Sequence, residues 1–246
     1  VTTSTPAEVL ARTGPIFLDF DGPVTHLFVD GRNKAIADRM RAVLAQLGEP
    51  ATDQAATTDD PLAVLRCSYA NRNSETFGAV EAECIAGEVD TVAVTEPTPG
   101  AHDFIRACRK AGRPLVILSN NAPNAIAAYL DRFELHDYFA GIVARDPGNP
   151  DLMKPHRHLV DVALSLVDVP ATTVAFIGDS ITDVQVATIT GLRMIGFGKN
   201  PQRATELDSA GAEALALTMQ DLVSEVLGQP TSDPQPLMGR PAVAWR

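Results

Sequence analysis

Ile16-Phe17-Leu18-Asp19-Phe20-Asp21-Gly22-Pro23-Val24-Thr25 is the stretch from which the rest of this chain is best read. Apolar residues arrive without a charge and predict a buried strand, and Asp19 and Asp21 then follow two apart, which in extended geometry sends both carboxylates from one face. Gly22-Pro23 stops the strand: Pro23 has no N–H for a sheet ladder, and Gly22 takes backbone angles closed to other residues. Two like charges at the mouth of a buried strand cost energy unless a metal or a shared proton relieves them. A site is the sharper reading. An Asp-x-Asp-Gly turn, formed because Asp and Gly both favour turns, is the plainer one, and other segments must separate the two.

Further apolar runs repeat the design. Pro114–Leu118, Gly141–Ala144, Thr173–Ile177 and Arg193–Phe197 predict strands, with Gly211–Leu217 as a weaker sixth. Helical spacing predicts helices over Thr5–Arg12, Ala101–Ala111 (closed by Gly112), Ala125–Phe133, Pro155–Leu166, Asp183–Thr190 and Leu222–Leu227. Strands that alternate with helices and lack polar/apolar alternation indicate an α/β fold, a Rossmann-like doubly wound parallel sheet whose ligands bind at the carboxyl ends of the strands.

Residues 30–93 break the alternation. Ile36, Met40, Val43, Leu44 and Leu47 form a helical stripe closed by Gly48; Ala51–Asp60 is polar and turn-like; Asp59-Asp60-Pro61 starts a helix carrying Leu62, Leu65 and Tyr69; Glu75–Ala86 follows with Phe77, Val80 and Cys84. No strand is predicted here, and the stretch is too long for a βα crossover, so a small all-helical cap is expected to be inserted after the first strand. The expected organisation is a core of 1–29 and 94–227, a helical cap of 30–93, and a loosely held tail of 228–246 with four prolines.

Bulk properties narrow the function. Over 246 residues, 45% hydrophobic and 21% charged residues describe an ordinary globular protein with an ample core. The net charge of -11 argues against nucleic acid or an anionic membrane as the main partner, because both call for clustered Lys and Arg. Cys67, Cys84 and Cys108 show no CxxC or Cys/His grouping, which suggests reduced, buried thiols. Val1–Gly14 lacks the form of a signal peptide and no 18-residue apolar run occurs, so a cytoplasmic protein is expected, as a monomer or a homodimer. His26, His102, His136, His156 and His158 share no ligand spacing, although His26 follows the first strand closely enough to line a pocket.

Four strand or helix starts deliver polar groups to one rim: Asp19 and Asp21, Ser119 and Asn120, Lys154, and Asp179 with Asp183. Each has a plain explanation, Ser119 as a helix N-cap, Lys154 as a solvated lysine, Asp179 and Asp183 as helix-start charges, but all would have to hold at once. With FLDFDGPVT, LVILSN, Lys154 within DLMKPH, and FIGDSITD in this order, the chain resembles the haloacid dehalogenase superfamily of phosphohydrolases from about residue 15 to about 227, in the subgroup with a helical cap related to phosphoglycolate phosphatase.

The chemistry explains those residue types. A phosphate monoester is a repelling dianion, so a carboxylate attacks its phosphorus only where cations neutralise the oxygens. The resemblance implies that Asp19 is the nucleophile forming an aspartyl-phosphate and that Asp21 protonates the leaving alkoxide and then activates water. It implies Mg²⁺ held by Asp19, the Asp21 carbonyl, Asp179 and Asp183, with Ser119 and the Asn120 N–H on the phosphoryl group and Lys154 as a point charge. The implied substrate is a small phosphorylated metabolite, with Arg32, Arg66, Arg72 and Asn73 as candidates for holding its far end. Asp21 disfavours a dehalogenase, whose family members lack this second Asp, and a phosphonate hydrolase would need a cap lysine where only Lys34 stands. A phosphosugar mutase of the β-phosphoglucomutase type and a non-catalytic phosphometabolite-binding protein remain as alternatives.

Overall fold

Three consecutive apolar residues with no polar alternation can be satisfied only when both faces are covered, and β1 (Ile16–Leu18) is buried on both. In the computed structural model, which describes residues 3–71 and 73–228, β1 lies inside an all-parallel sheet. Its other strands are β2 (Leu115–Leu118), β3 (Gly141–Val143), β4 (Ala175–Gly178), β5 (Arg193–Phe197) and β6 (Ala214–Ala216), in the spatial order β3-β2-β1-β4-β5-β6. Leu18 pairs with Ile117 on one side and with Ile177 on the other. Strands β2 and β3 spread to one side of β1 and β4 to β6 to the other. The reversal therefore falls between β1 and β4, where such sheets open a crevice at the carboxyl ends.

Helices α1 (Pro6–Ala11), α6 (Ala101–Lys110), α7 (Pro123–Arg132) and α11 (Met219–Leu227) cover the face that carries Ile16, Leu18, Ile117 and Ile177. Helices α8 (His158–Val167), α9 (Ile181–Thr190) and α10 (Pro201–Ala210) cover the face of Phe17, Val116, Leu118 and Phe176. Thr5 and Glu8 form a capping box at α1, and Ser180 and Asp183 form another at α9, so both helices start where the sequence supplies acceptors for their open N–H groups.

Between β1 and β2 the chain forms α2 (Arg32–Gln46), α3 (Asp53–Thr57), α4 (Pro61–Asn71) and α5 (Ser74–Val92), with no strand among the described residues. Ile36, Met40, Leu44, Val64, Leu65, Phe77, Val80 and Cys84 pack into a separate apolar cluster. The two connections to the sheet are stitched together, Thr25 donating its hydroxyl to the Glu96 carbonyl at 2.8 Å and Thr95 donating to the His26 carbonyl at 2.9 Å.

Several boundaries differ from the sequence expectation. α5 runs six residues past Ala86, because Gly87 lies against Ile36 of α2 and Glu88 and Thr91 are buried by neighbouring elements. The polar stretch 51–60 contains α3, held by the Arg41 guanidinium, which donates to the Ala55 and Thr58 carbonyls at 3.1 and 2.8 Å. The helix expected from Pro155 begins at His158, since the Lys154 peptide is taken up by the Asn120 side chain. α10 was not expected, and its single buried residue, Leu207, leaves little apolar periodicity to read. Arg72 and the expectation for the tail beyond 228 lie outside the described residues. Cys84 and Cys108 are buried and Cys67 is half-buried, without a disulfide. No helix among the described residues is long and apolar enough to cross a membrane.

Candidate active site

Strand alternation does not carry Asp19 and Asp21, because β1 ends at Leu18 and the chain bends at Phe20. The Asp19 N–H donates to the Ile177 carbonyl at 2.9 Å, which holds this residue at the β1/β4 crevice. The Phe20 N–H in turn donates to Asp19 Oδ1 at 2.8 Å. Asp21 instead accepts the Leu27 N–H at 2.8 Å and sits outside the cluster that Asp19 forms with Asp179 and Asp183. Burial, and then the nearby Asp179 charge, push the Asp21 carboxyl up to about 7.

The turn after β1 is fitted to its neighbours. Gly22 has φ +109°, and a Cβ there would lie 2.4 Å from Asp179 Cγ. Gly178 is equally tight, since a Cβ would lie 2.4 Å from Asp183 Oδ2. Gly22→Ala combines positive φ with that clash and is expected to lower unfolding free energy by about 1–3 kcal/mol. Urea denaturation reads this directly, and an unchanged midpoint would show that Asp179 can step aside.

Lys154 is not the surface lysine of the plainer reading. Its side chain is 1% exposed, with Nζ 3.0 Å from Asp19 Oδ1 and 2.7 Å from Asp183 Oδ1. The ammonium also donates to the Leu118 carbonyl at 3.0 Å. Burial opposes its charge, but the two carboxylates outweigh burial and hold its pKa above the usual lysine value. Asp19 is raised by burial first, then by Asp183, and lowered by Lys154.

Asp183 does what the plainer reading expects and also faces Lys154. It closes the α9 capping box, the Ser180 N–H donating to its Oδ2 at 3.0 Å, and its Oδ1 faces Lys154. That Oδ1 has no aligned hydrogen bond although fully buried. Asp179, at the end of β4, pairs with Lys199 Nζ at 3.0 Å. Lys199 was missed in the sequence, although it stands just past β5 where the same strand-end rule applies.

Ser119 is 1% exposed and does not cap α7, whose N-cap is Ala122. Its hydroxyl donates to Asn121 Oδ1 at 2.9 Å. The Asn120 side chain clamps the Lys154 peptide, accepting its N–H at 2.7 Å and donating to its carbonyl at 3.1 Å. This clamp went unseen, because only the Asn120 backbone N–H was expected to act. Among the cap candidates, Arg66 reaches the Lys154 carbonyl at 3.5 Å and lines a cleft of about 540 Å³ with His156 and Arg157. Asn73 is occupied otherwise: it is the α5 N-cap and accepts the Glu75 and Thr76 N–H groups at 3.0 and 2.9 Å. Arg32 opens α2 and is half-buried. His26 is half-buried, 3.4 Å from the Thr98 hydroxyl, and burial and then Lys199 hold its pKa low.

Carboxylate oxygens of Asp19, Asp179 and Asp183 lie within 4.8 Å of one another. Three carboxylates there face two ammoniums, Lys154 and Lys199, leaving negative charge over. Hard oxygen donors, excess negative charge and the unaligned Asp183 Oδ1 fit a hard divalent cation such as Mg²⁺.

Sheet and site together define an α/β protein that gathers three carboxylates and two ammoniums at its switch point. The chain belongs to the haloacid dehalogenase-like hydrolases, whose family model matches residues 14–188. It is similar to the phosphoglycolate phosphatase of Pseudomonas putida (strain KT2440), 26% identical over 124 residues that cover 50% of this chain and 44% of that protein. The phosphoglycolate phosphatase of Shigella boydii serotype 4 is 23% identical over 205 residues, covering 83% and 75%. Several of these curated relatives are thus matched over less than half of their length. In fold the chain resembles CbbY from Rhodobacter sphaeroides in complex with phosphate, with TM-score 0.62, 19% identity and coverage of 85% of this chain and 96% of that one. A haloacid dehalogenase-like family hydrolase of Streptococcus pneumoniae aligns with TM-score 0.60 at 17% identity, covering 87% and 98%.

Proposed function

We propose that this protein is an Mg²⁺-dependent phosphatase that hydrolyses a small phosphorylated metabolite through an aspartyl-phosphate on Asp19. The observation that carries the reading is the buried Lys154 ammonium, 3.0 Å from Asp19 and 2.7 Å from Asp183. A lysine taken out of water at a strand-end carboxylate is costly unless it offsets charge that the site must gather. The family membership and the similarity to phosphoglycolate phosphatases support the same reading.

Asp19 attacks phosphorus and Asp21 gives a proton to the departing alkoxide oxygen. Asp21, now a carboxylate, takes a proton from the water that cleaves the acyl phosphate, returning Asp19 and releasing inorganic phosphate. Ser119 and the Asn120 N–H hold the phosphoryl oxygens, and Lys154 offsets their charge. Asp19, Asp179, Asp183 and the Asp21 carbonyl would hold Mg²⁺, which when bound neutralises phosphoryl oxygens during transfer. Residues 30–93 act as the cap that excludes water and selects the leaving group, with Arg66 the candidate for its far end. Buried Cys84 and Cys108 thiols suit a reducing cytoplasm.

Hydrolysis of p-nitrophenyl phosphate is expected to vanish after chelation with EDTA and to return on adding MgCl₂. A rate indifferent to chelation would remove the cation from the scheme, and no turnover on a broad panel of phosphate esters would remove the phosphatase.

A further inference from the structure

We propose that Glu88, on α5, is a positioning residue for the phosphoryl-binding loop after β2, an inference that rests on the phosphatase reading above. Glu88 and Arg145 both have side chains 0% exposed, and Arg145 Nη1 lies 3.1 Å from Glu88 Oε1. Glu88 Oε2 accepts the Ala122 N–H at 2.8 Å, and its Oε1 accepts from Asn121 Nδ2 at 3.3 Å. Arg145 Nη1 also donates to the Asn120 carbonyl at 3.1 Å. One buried pair thereby holds residues 120, 121 and 122 in succession.

The hold extends to Ser119. An ionised carboxylate only accepts, so the Asn121 amide turns its nitrogen to Glu88 and its oxygen to Ser119, whose hydroxyl donates to it at 2.9 Å. Glu88 therefore governs the orientation of the Ser119 hydroxyl while touching no reacting group. The neighbouring Asn120 clamps the Lys154 peptide, so the Ser119 hydroxyl and the Lys154 ammonium both depend on the same loop.

Stability alone does not account for the arrangement. The ion pair itself adds little stability, because a buried pair must overcome the desolvation of both charges; what apolar side chains of similar volume could not supply is partners for the Ala122 N–H and the Asn120 carbonyl. This pair is not even fully satisfied, since Arg145 Nε has no hydrogen-bond partner. What it supplies is orientation: α7 has no side-chain N-cap of its own, and the acceptor for Ala122 comes from a helix 34 residues earlier.

The test replaces both charges together, Glu88→Leu with Arg145→Met. The protein is expected to stay folded, with a urea midpoint lowered by the loss of partners for the Ala122 N–H and the Asn120 carbonyl. Orthovanadate affinity, measured by calorimetry in MgCl₂, is expected to fall about tenfold or more, and kcat on p-nitrophenyl phosphate by about 10²-fold, as misplacement of a binding loop predicts. A folded double variant with wild-type kcat and vanadate affinity overturns the inference. Should that variant fail to fold, Asn121→Ala cuts the same chain at its Ser119 end and leaves the ion pair in place. Reduced vanadate affinity then supports the role, and unchanged affinity overturns it. A wild-type protein that hydrolyses no phosphate ester overturns the phosphatase reading itself, and this inference with it.

Discussion

Asp19→Asn is expected to lower kcat by about 10⁴- to 10⁶-fold while leaving the protein folded and at least as stable. An amide of almost the same shape offers no anionic oxygen to phosphorus, so the covalent route closes. Stability should not suffer, because the Asp19 carboxylate is disfavoured by burial and by Asp183, and removing it relieves that crowding. Lys154 keeps a charged partner, since its Nζ also lies 2.7 Å from Asp183 Oδ1. The measurement is a pair: steady-state turnover of a phosphate ester, and the urea midpoint of the same preparation. Turnover within tenfold of wild type would show that Asp19 is not the nucleophile. A collapsed midpoint would show that Lys154 depends on Asp19 more than its second ion pair implies.

The second large effect belongs to Asp21→Asn, and its size should depend on the leaving group. On a primary alkyl phosphate, whose alkoxide leaves poorly without a proton, kcat is expected to fall by about 10²- to 10⁴-fold. With p-nitrophenyl phosphate the departing phenolate needs no acid, so phosphorylation of Asp19 should stay fast while hydrolysis of the aspartyl-phosphate, which still needs a base, becomes slow. Rapid mixing should then show a burst of p-nitrophenol close to one equivalent of protein, followed by slow turnover. The geometry motivates this division, because Asp21 accepts the Leu27 N–H and stands apart from the Asp19, Asp179 and Asp183 cluster. An equal loss on both esters, with no burst, would deny Asp21 the proton.

Much of the site was legible because polar residues stand where apolar runs stop. Ile16–Leu18 leads into Asp19, Leu115–Leu118 into Ser119, and Ala175–Gly178 into Asp179, so the strand reading and the site reading are one observation. Lys199 follows Arg193–Phe197 in the same way, but a lysine past a strand is most often solvated, and nothing local separates the two cases. Lys154 stands just before the helix expected from Pro155 and was placed at the rim on that ground, but its role as a point charge came only from the family resemblance. Glu88 looked like one more polar position beyond the expected end of its helix, yet it is fully buried against Arg145, 57 residues away.

The amino-acid sequence by itself determined the parallel sheet, the helical segment after its first strand and the carboxylates at the strand ends. Those features follow from hydrophobic period and from the turn chemistry of Gly and Pro, which act over a few neighbouring residues. Only the tertiary structure decided which polar side chains meet: Lys154 between Asp19 and Asp183, Lys199 on Asp179, and Glu88 beneath residues 120–122. Such meetings depend on how crossover helices pack on the sheet, and a charge is forced to find its partner only after that packing has removed the water around it.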